Sequence, residues 1–241
     1  MKAVLKLFLA TSCVTGLAQI SVAAEAESSL SFNAGVVTDY RYRGISQTHL
    51  DPALQAGIDY ADKRGFYIGA WGSGIRWIKD AGGNASVEID YYGGYKGTVG
   101  SAGYDVGLLR YEYAQNGLTP NASTNEIYGA LTLGSFTVKY SHAISNLFGF
   151  ADSKNSTYLD LSASVDLGGG YSLTPHIGYQ KVNRNPSASY TDYSLTLGKD
   201  LGHGWSASLA LTGTDADKGV YGGPSGFNGK SALLAGLKFS F

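Results

Sequence analysis

The sequence predicts an all-β chain, a transmembrane antiparallel β-barrel of about 12 strands of the outer-membrane type. Three observations lead there. Apolar residues recur with period two over most of the length, connections alternate between short and long, and the chain closes with Leu233, Ala235, Leu237, Phe239 and Phe241 on one face. Composition agrees. The 241 residues include 34 Gly and 18 Tyr, and only 15% are charged, whereas an ordinary soluble domain has about 7% Gly and about 25% charge. One Cys excludes a disulfide scaffold. A formal net charge of −1 argues against nucleic-acid binding. No stretch beyond the N-terminus reaches the roughly 18 consecutive apolar residues of a helical membrane span.

Residues 1–24 read as a secretory signal peptide. Lys2 and Lys6 precede an apolar stretch from Leu7 to Ile20, and small residues end it at Ser21-Val22-Ala23-Ala24. Cys13 falls inside that segment, so the expected mature chain has no thiol. It carries 16 basic and 19 acidic residues, a net charge of −3. Residues 25–241 are expected to form one barrel domain.

The first strand is read from Leu30 to Arg43. Leu30, Phe32, Ala34, Val36, Thr38, Tyr40 and Tyr42 share one face; Ser31, Asn33, Gly35, Val37, Asp39, Arg41 and Arg43 share the other. The same alternation puts Leu54, Ile58 and Tyr60 opposite Gln55 and Asp59, and Val87, Ile89 and Tyr91 opposite Glu88 and Asp90. It puts Ile127 and Leu131 opposite Glu126, Val138 and Tyr140 opposite Lys139, and Leu159, Leu161 and Leu167 opposite Asp160 and Asp166. Later strands set Ile177 and Tyr179 against His176 and Gln180, Tyr193 and Leu195 against Ser194, Leu209 and Leu211 against Ser208, and Leu237 against Lys238. Residues 65–77 and 104–113 switch faces partway, which predicts a bulge in each.

Short Gly-rich turns (61–65, 97–103, 134–135, 168–170, 200–204) alternate with mostly longer polar loops (44–51, 79–84, 115–124, 145–156, 183–189, 214–229). That sorting fits short periplasmic turns and longer outer loops. A soluble sandwich also buries one face of each strand. Strand length, the terminal aromatic and the aromatics placed toward strand ends (Tyr40, Tyr42, Trp77, Tyr95, Trp205) favour lipid contact. Backbone groups in hydrocarbon must pair internally, so the sheet must close. Twelve strands about 4.8 Å apart and tilted about 40° place the backbone roughly 12 Å from the axis, room for a small solute or a folded-in loop.

Several runs carry a resemblance. Thr38-Asp-Tyr-Arg-Tyr-Arg-Gly-Ile-Ser-Gln47, Pro52-Ala-Leu-Gln-Ala-Gly-Ile-Asp-Tyr60, Gly65-Phe-Tyr-Ile-Gly-Ala-Trp-Gly-Ser73, Glu88-Ile-Asp-Tyr-Tyr-Gly-Gly-Tyr95 and Asn125-Glu-Ile-Tyr128 occur in this order. The set resembles the proteobacterial TorF-type porin family. The resemblance covers most of the chain beyond residue 24 and is strongest over its first hundred or so residues. It implies an outer-membrane location and a porin role. The family's name links some members to trimethylamine N-oxide respiration, but these motifs encode no substrate.

The candidate pore-lining set is Asp39, Arg41, Arg43, Gln55, Asp59, Glu88, Asp90, Glu126, Lys139, Asp160, Asp166, His176 and Lys238. Such a set either selects solutes by rings of charge or fills the lumen with a satisfied ion-pair network. Mixed signs give no strong ion preference, though Arg41 and Arg43 near the mouth weakly favour anions or zwitterions. Phe239 and Phe241 are read as the assembly signal for the barrel insertion machinery. The expected surroundings are outer-membrane lipid, with a small hydrophilic solute as cargo and no cofactor.

A catalytic role finds little support. His142 and Ser145 are three apart and so face opposite ways on a strand, and His176 has only Thr174 at i−2. Scattered His residues make no metal set. The expected function is passive diffusion of a small hydrophilic solute. The alternatives are a non-conducting barrel that works through its loops 145–156 and 214–229, and an envelope lipid hydrolase.

Overall fold

The computed structural model describes residues 28–224 and 226–241. The signal-peptide segment, with Cys13, lies outside the described residues. Strand β1 spans Ser29–Val37, followed by a short inward hairpin of β2 (Arg41–Tyr42) and β3 (Ile45–Ser46). Next come β4 (Ala53–Ala61), β5 (Phe66–Gly74), the one-turn helix α1 (Trp77–Asp80), β6 (Val87–Val99), β7 (Ala102–Glu112), β8 (Thr124–Leu133) and β9 (Phe136–Ala143). The remainder is β10 (Thr157–Ala163), β11 (Val165–Gly168), β12 (Tyr171–Lys181), β13 (Tyr190–Gly202), β14 (Trp205–Thr214), β15 (Gly222–Gly223), β16 (Gly226–Phe227) and β17 (Ala232–Ser240). β10 and β11 are one strand interrupted at Ser164, and both pair with β12.

Every neighbouring pair around the wall is antiparallel, and β1 pairs with both β4 and β17. With β10 paired to both β9 and β12, the sheet closes into a 12-stranded barrel. Closure leaves no wall strand with an open edge, as a sheet in hydrocarbon requires.

The apolar face is outside. Leu54 is 76% exposed, Val99 72% and Phe136 70%. In water such a belt would collapse onto another surface; in a bilayer it meets acyl chains. At the short-turn rim Phe239 stacks between Trp205 (ring centroids 4.9 Å apart) and Phe241 (5.3 Å), and Phe241 reaches Phe32 at 5.6 Å.

β1 stops at Val37 rather than at Arg43. The chain then turns into the barrel, so Tyr40, Tyr42 and Trp77, expected in an outer girdle, sit inside it instead. Tyr95 and Trp205 do face outward. The two expected bulges are absent: β5 and β7 keep unbroken register with their neighbours. Trp71, Leu109 and Tyr111 point inward there, where they pack on the folded-in loop. The change was in polarity, not in register.

Glycine and tyrosine explain each other inside the wall. Added to Gly69, a Cβ would meet the ring of Tyr92 at 2.5 Å; at Gly107 it would meet Tyr128 Oη at 2.6 Å. Gly94 lies under Tyr67, and Gly178 under Tyr158. Inward glycines on one strand make room for tyrosine rings lying flat from the next.

A candidate lumen with a septum at the long-loop end

The inward hairpin begins with a knot of short polar contacts. Asp39 accepts from Arg41 Nε (2.6 Å), Ser46 Oγ (2.6 Å) and Thr48 Oγ1 (3.1 Å). Arg41 Nη1 donates to the carbonyls of Gly44, Asn228 and Lys230 at 2.9–3.1 Å. Arg43 and Gly44 form the two-residue turn, with φ of 45° and 78°. Two successive positive φ values suit a tight hairpin. Gly44 is required for space as well, since a Cβ there would lie 2.7 Å from Asp192 Cβ on the far wall.

Arg43 pays for its unusual backbone through its side chain. Its two terminal nitrogens fork onto Glu126 of β8 at 3.0 and 2.8 Å, and Nη1 also donates to Gln180 Oε1 of β12 at 2.6 Å. The guanidinium lies between the rings of Tyr42 (4.7 Å) and Tyr158 (4.2 Å). Burial disfavours its charge, but Glu126 more than offsets this, and the group is held firmly cationic.

Around this bridge lie further buried polar contacts. Glu88 accepts from Tyr40 Oη (2.6 Å) and Tyr113 Oη (2.7 Å). Burial, reinforced by Glu88, pushes both phenols well up, so they remain donors. Tyr42 Oη donates to Tyr111 Oη, and Tyr111 Oη to Glu126, at 2.6 and 3.2 Å. On the other flank His176 Nε2 lies 3.0 Å from Asp160, and Tyr158 Oη donates to Asp192 at 2.9 Å. Arg43, Glu88, Glu126, Asp160, Gln180 and Asp192 are all buried. Together they make a septum across the barrel.

Towards the short turns most wall side chains are partly solvent-exposed, with Asp105 buried among them. Tyr92 Oη donates to Asp59, and Tyr67 Oη to Asp105, each at 2.6 Å; Tyr67 also meets Tyr128 Oη. Lys139 sits 4.2 Å over the Tyr128 ring, and Lys96 5.7 Å from that of Tyr67.

The structure thus brings Arg43 and Glu126 together, and Asp160 and His176. Asp39 and Arg41 pair within the hairpin. Gln55 faces Ser73 at 3.4 Å, and Asp90 faces inward with one carboxylate oxygen buried and without a hydrogen bond. Lys238 lies in register with Gly35 and Ser206 on the inward face. Asp166 is apart from the rest: it is exposed at a short turn, where it caps the Gly168 N–H at 2.8 Å. His142 bonds Asn155 (3.1 Å) while Ser145 Oγ accepts from the Asn125 N–H, so these two are engaged separately.

Arg41 and Arg43, on which the expected anion bias rests, are both paired. Each guanidinium is matched by a carboxylate, Asp39 or Glu126. Among the described residues the wall between the rims carries inward Asp59, Glu88, Asp90, Asp105, Glu126, Asp160 and Asp192. Arg43, Lys96, Lys139, Lys238 and His176 oppose them. The interior is net acidic. Asp105, Asp192, Tyr111 and Gln180 were not singled out as site residues, although alternation already put Gln180 on the polar face. Carrying the same period of two one step back from Ser194 reaches Asp192.

A family model matches residues 22–241. The chain belongs to that family, a bacterial protein family of unknown function (Gcw_chp). No curated protein matches it. Among solved structures it is similar to the KdgM porin, with 9% identity, a TM-score of 0.57, and coverage of 89% of this chain and 99% of that one. It is also similar to the NanC porin, with 11% identity, a TM-score of 0.54, and coverage of 88% and 99%. At such identity the likeness is one of fold, that of outer-membrane porins.

Proposed function

We propose that the protein is an outer-membrane channel that passes a small hydrophilic solute down its gradient. Its long loops would face outward and its termini the periplasm. The observation that carries this reading is a charged, partly solvent-exposed interior inside an apolar cylinder. The porin fold and the motif resemblance to TorF-type porins support it. A solved KdgM porin complex holds disordered oligogalacturonate. The acidic interior here suits neutral or cationic solutes better.

The refolded protein in planar bilayers should show discrete current steps. No current above background, at either polarity, would overturn the channel reading. The buried septum favours a second reading, a non-conducting barrel working through its long loops, and that result would leave it standing.

Current should be carried mainly by cations. Asp59→Asn together with Asp105→Asn keeps both tyrosine hydrogen bonds and removes two charges. Reversal potentials in a salt gradient should shift toward the non-selective value. An unchanged potential would show that these carboxylates lie off the path.

A further inference from the structure

One sector of the long-loop end carries a surplus of positive charge on its outer face. Outside the buried hairpin the other long-loop segments balance: Arg76 and Lys79 against Asp51 and Asp80, Arg110 against Glu112, Lys218 and Lys230 against Asp215 and Asp217. Around β9, β10 and β12, by contrast, Lys154, Lys181 and Arg184 are opposed only by Asp152. All three cations are exposed. Arg76 and Arg110 are ion-paired, to Asp51 and Glu112, whereas none of these three has an ion pair among the described residues.

The wall sets their height. Tyr140, Leu159 and Tyr179 lie side by side on β9, β10 and β12 and face outward, each close to half exposed. The next outward row, two residues or about 7 Å farther along each strand, is His142, Thr157 and Lys181. Tyrosines on the outside of a barrel mark the boundary between acyl chains and headgroups, so Lys181 stands at headgroup depth. Beyond it the loops after β9 and β12 are tied together. Asn183 Nδ2 donates to Lys154 O at 2.8 Å, and the Asn183 N–H to Ser156 Oγ at 2.9 Å. That tie keeps Lys154 and Arg184 on neighbouring loops just above the row.

We propose that this sector binds a glycolipid headgroup bearing more than one phosphate, resting on the outward orientation of the long loops in the channel reading and not on conduction. Exposed cations without carboxylate partners favour an anion, and each Lys or Arg held near a membrane surface adds to the attraction for its anionic lipids. The charges are spread over two neighbouring strands and in height, from Lys181 in the wall to Arg184 three residues on. One phosphate is too small to meet them all. The apolar row directly below, with Leu159, Leu161 and Ile177 exposed, takes acyl chains. A lipid therefore meets both levels, and a free anion only the upper one.

The test is native mass spectrometry of the full chain, folded in detergent and titrated with bis-phosphorylated lipid A. Heat-modifiable gel migration confirms that each variant is folded. Lipid A should bind saturably. Lys181→Gln together with Arg184→Gln should weaken it about twentyfold, near fivefold per cation removed. Lys63→Gln together with Lys79→Gln, an equal charge loss elsewhere, should leave it unchanged. Phosphatidylglycerol and dephosphorylated lipid A should each bind at least fivefold more weakly. The proposal is overturned if lipid A fails to saturate, if the Lys181/Arg184 variant binds it like the parent, if the control pair loses as much, or if either comparison lipid binds equally well. Orientation is read separately, by labelling Ser187→Cys on intact cells with an impermeant maleimide. Label without lipid A binding removes the site alone. No label removes the orientation, and the site with it. A silent bilayer with lipid A still bound removes the channel and keeps the site.

Discussion

Replacing Arg43 by alanine should raise mean single-channel conductance by about an order of magnitude. Arg43 is the one side chain of the inward hairpin seen to reach both β8 and β12. Removing it leaves Glu126 buried without its cation and Gln180 without its donor. Breaking a buried pair from one side costs about 3–5 kcal/mol. Alanine also leaves the left-handed backbone of this turn without the side-chain contacts that hold it there. Swinging the hairpin out of the barrel relieves both. Arg43→Lys should give an intermediate result, because an ammonium cannot fork onto a carboxylate. Equal conductance in all three proteins would show that the septum is not the barrier to flow.

Gly94→Ala should destabilise the barrel by at least 1–3 kcal/mol, the usual cost of overpacking. The added methyl would overlap the Val106 carbonyl and the Tyr67 ring. Neither can retreat easily: Val106 O belongs to the wall ladder, and Tyr67 Oη is held by Asp105 and Tyr128. Gly129→Ala is the control, with its nearest atom 3.9 Å away. Urea midpoints of the two variants refolded into lipid vesicles make the comparison. Coincident midpoints would mean that the tyrosines do not depend on the glycines beneath them.

The outer surface was legible because lipid imposes one rule on every strand, apolar out at each second residue. Leu30 to Val36, Leu159 to Leu167 and Leu233 to Phe241 obey it, and the number of wall strands followed. The inside obeys no such local rule. Arg43 meets partners 83 and 137 residues away, a pairing that no spacing could display. Tyr40 and Tyr42 continue the period of β1 and so read as lipid-facing, yet the chain has already left the wall. Trp71, Leu109 and Tyr111 misled in the opposite sense. They face a packed interior, so their apolar character mimicked a shift of register in β5 and β7.

The septum has an electrical consequence. A transmembrane voltage falls across the most resistive part of a conduit, which in a channel of this shape would be the buried side chains around Arg43. Arg43 lies within that drop. A unit charge carried through the full field gains or loses about 2.3 kcal/mol per 100 mV, comparable to the cost of parting a buried ion pair. Opening of the hairpin should therefore depend on the sign of the applied potential, with outward movement favoured when the long-loop side is negative.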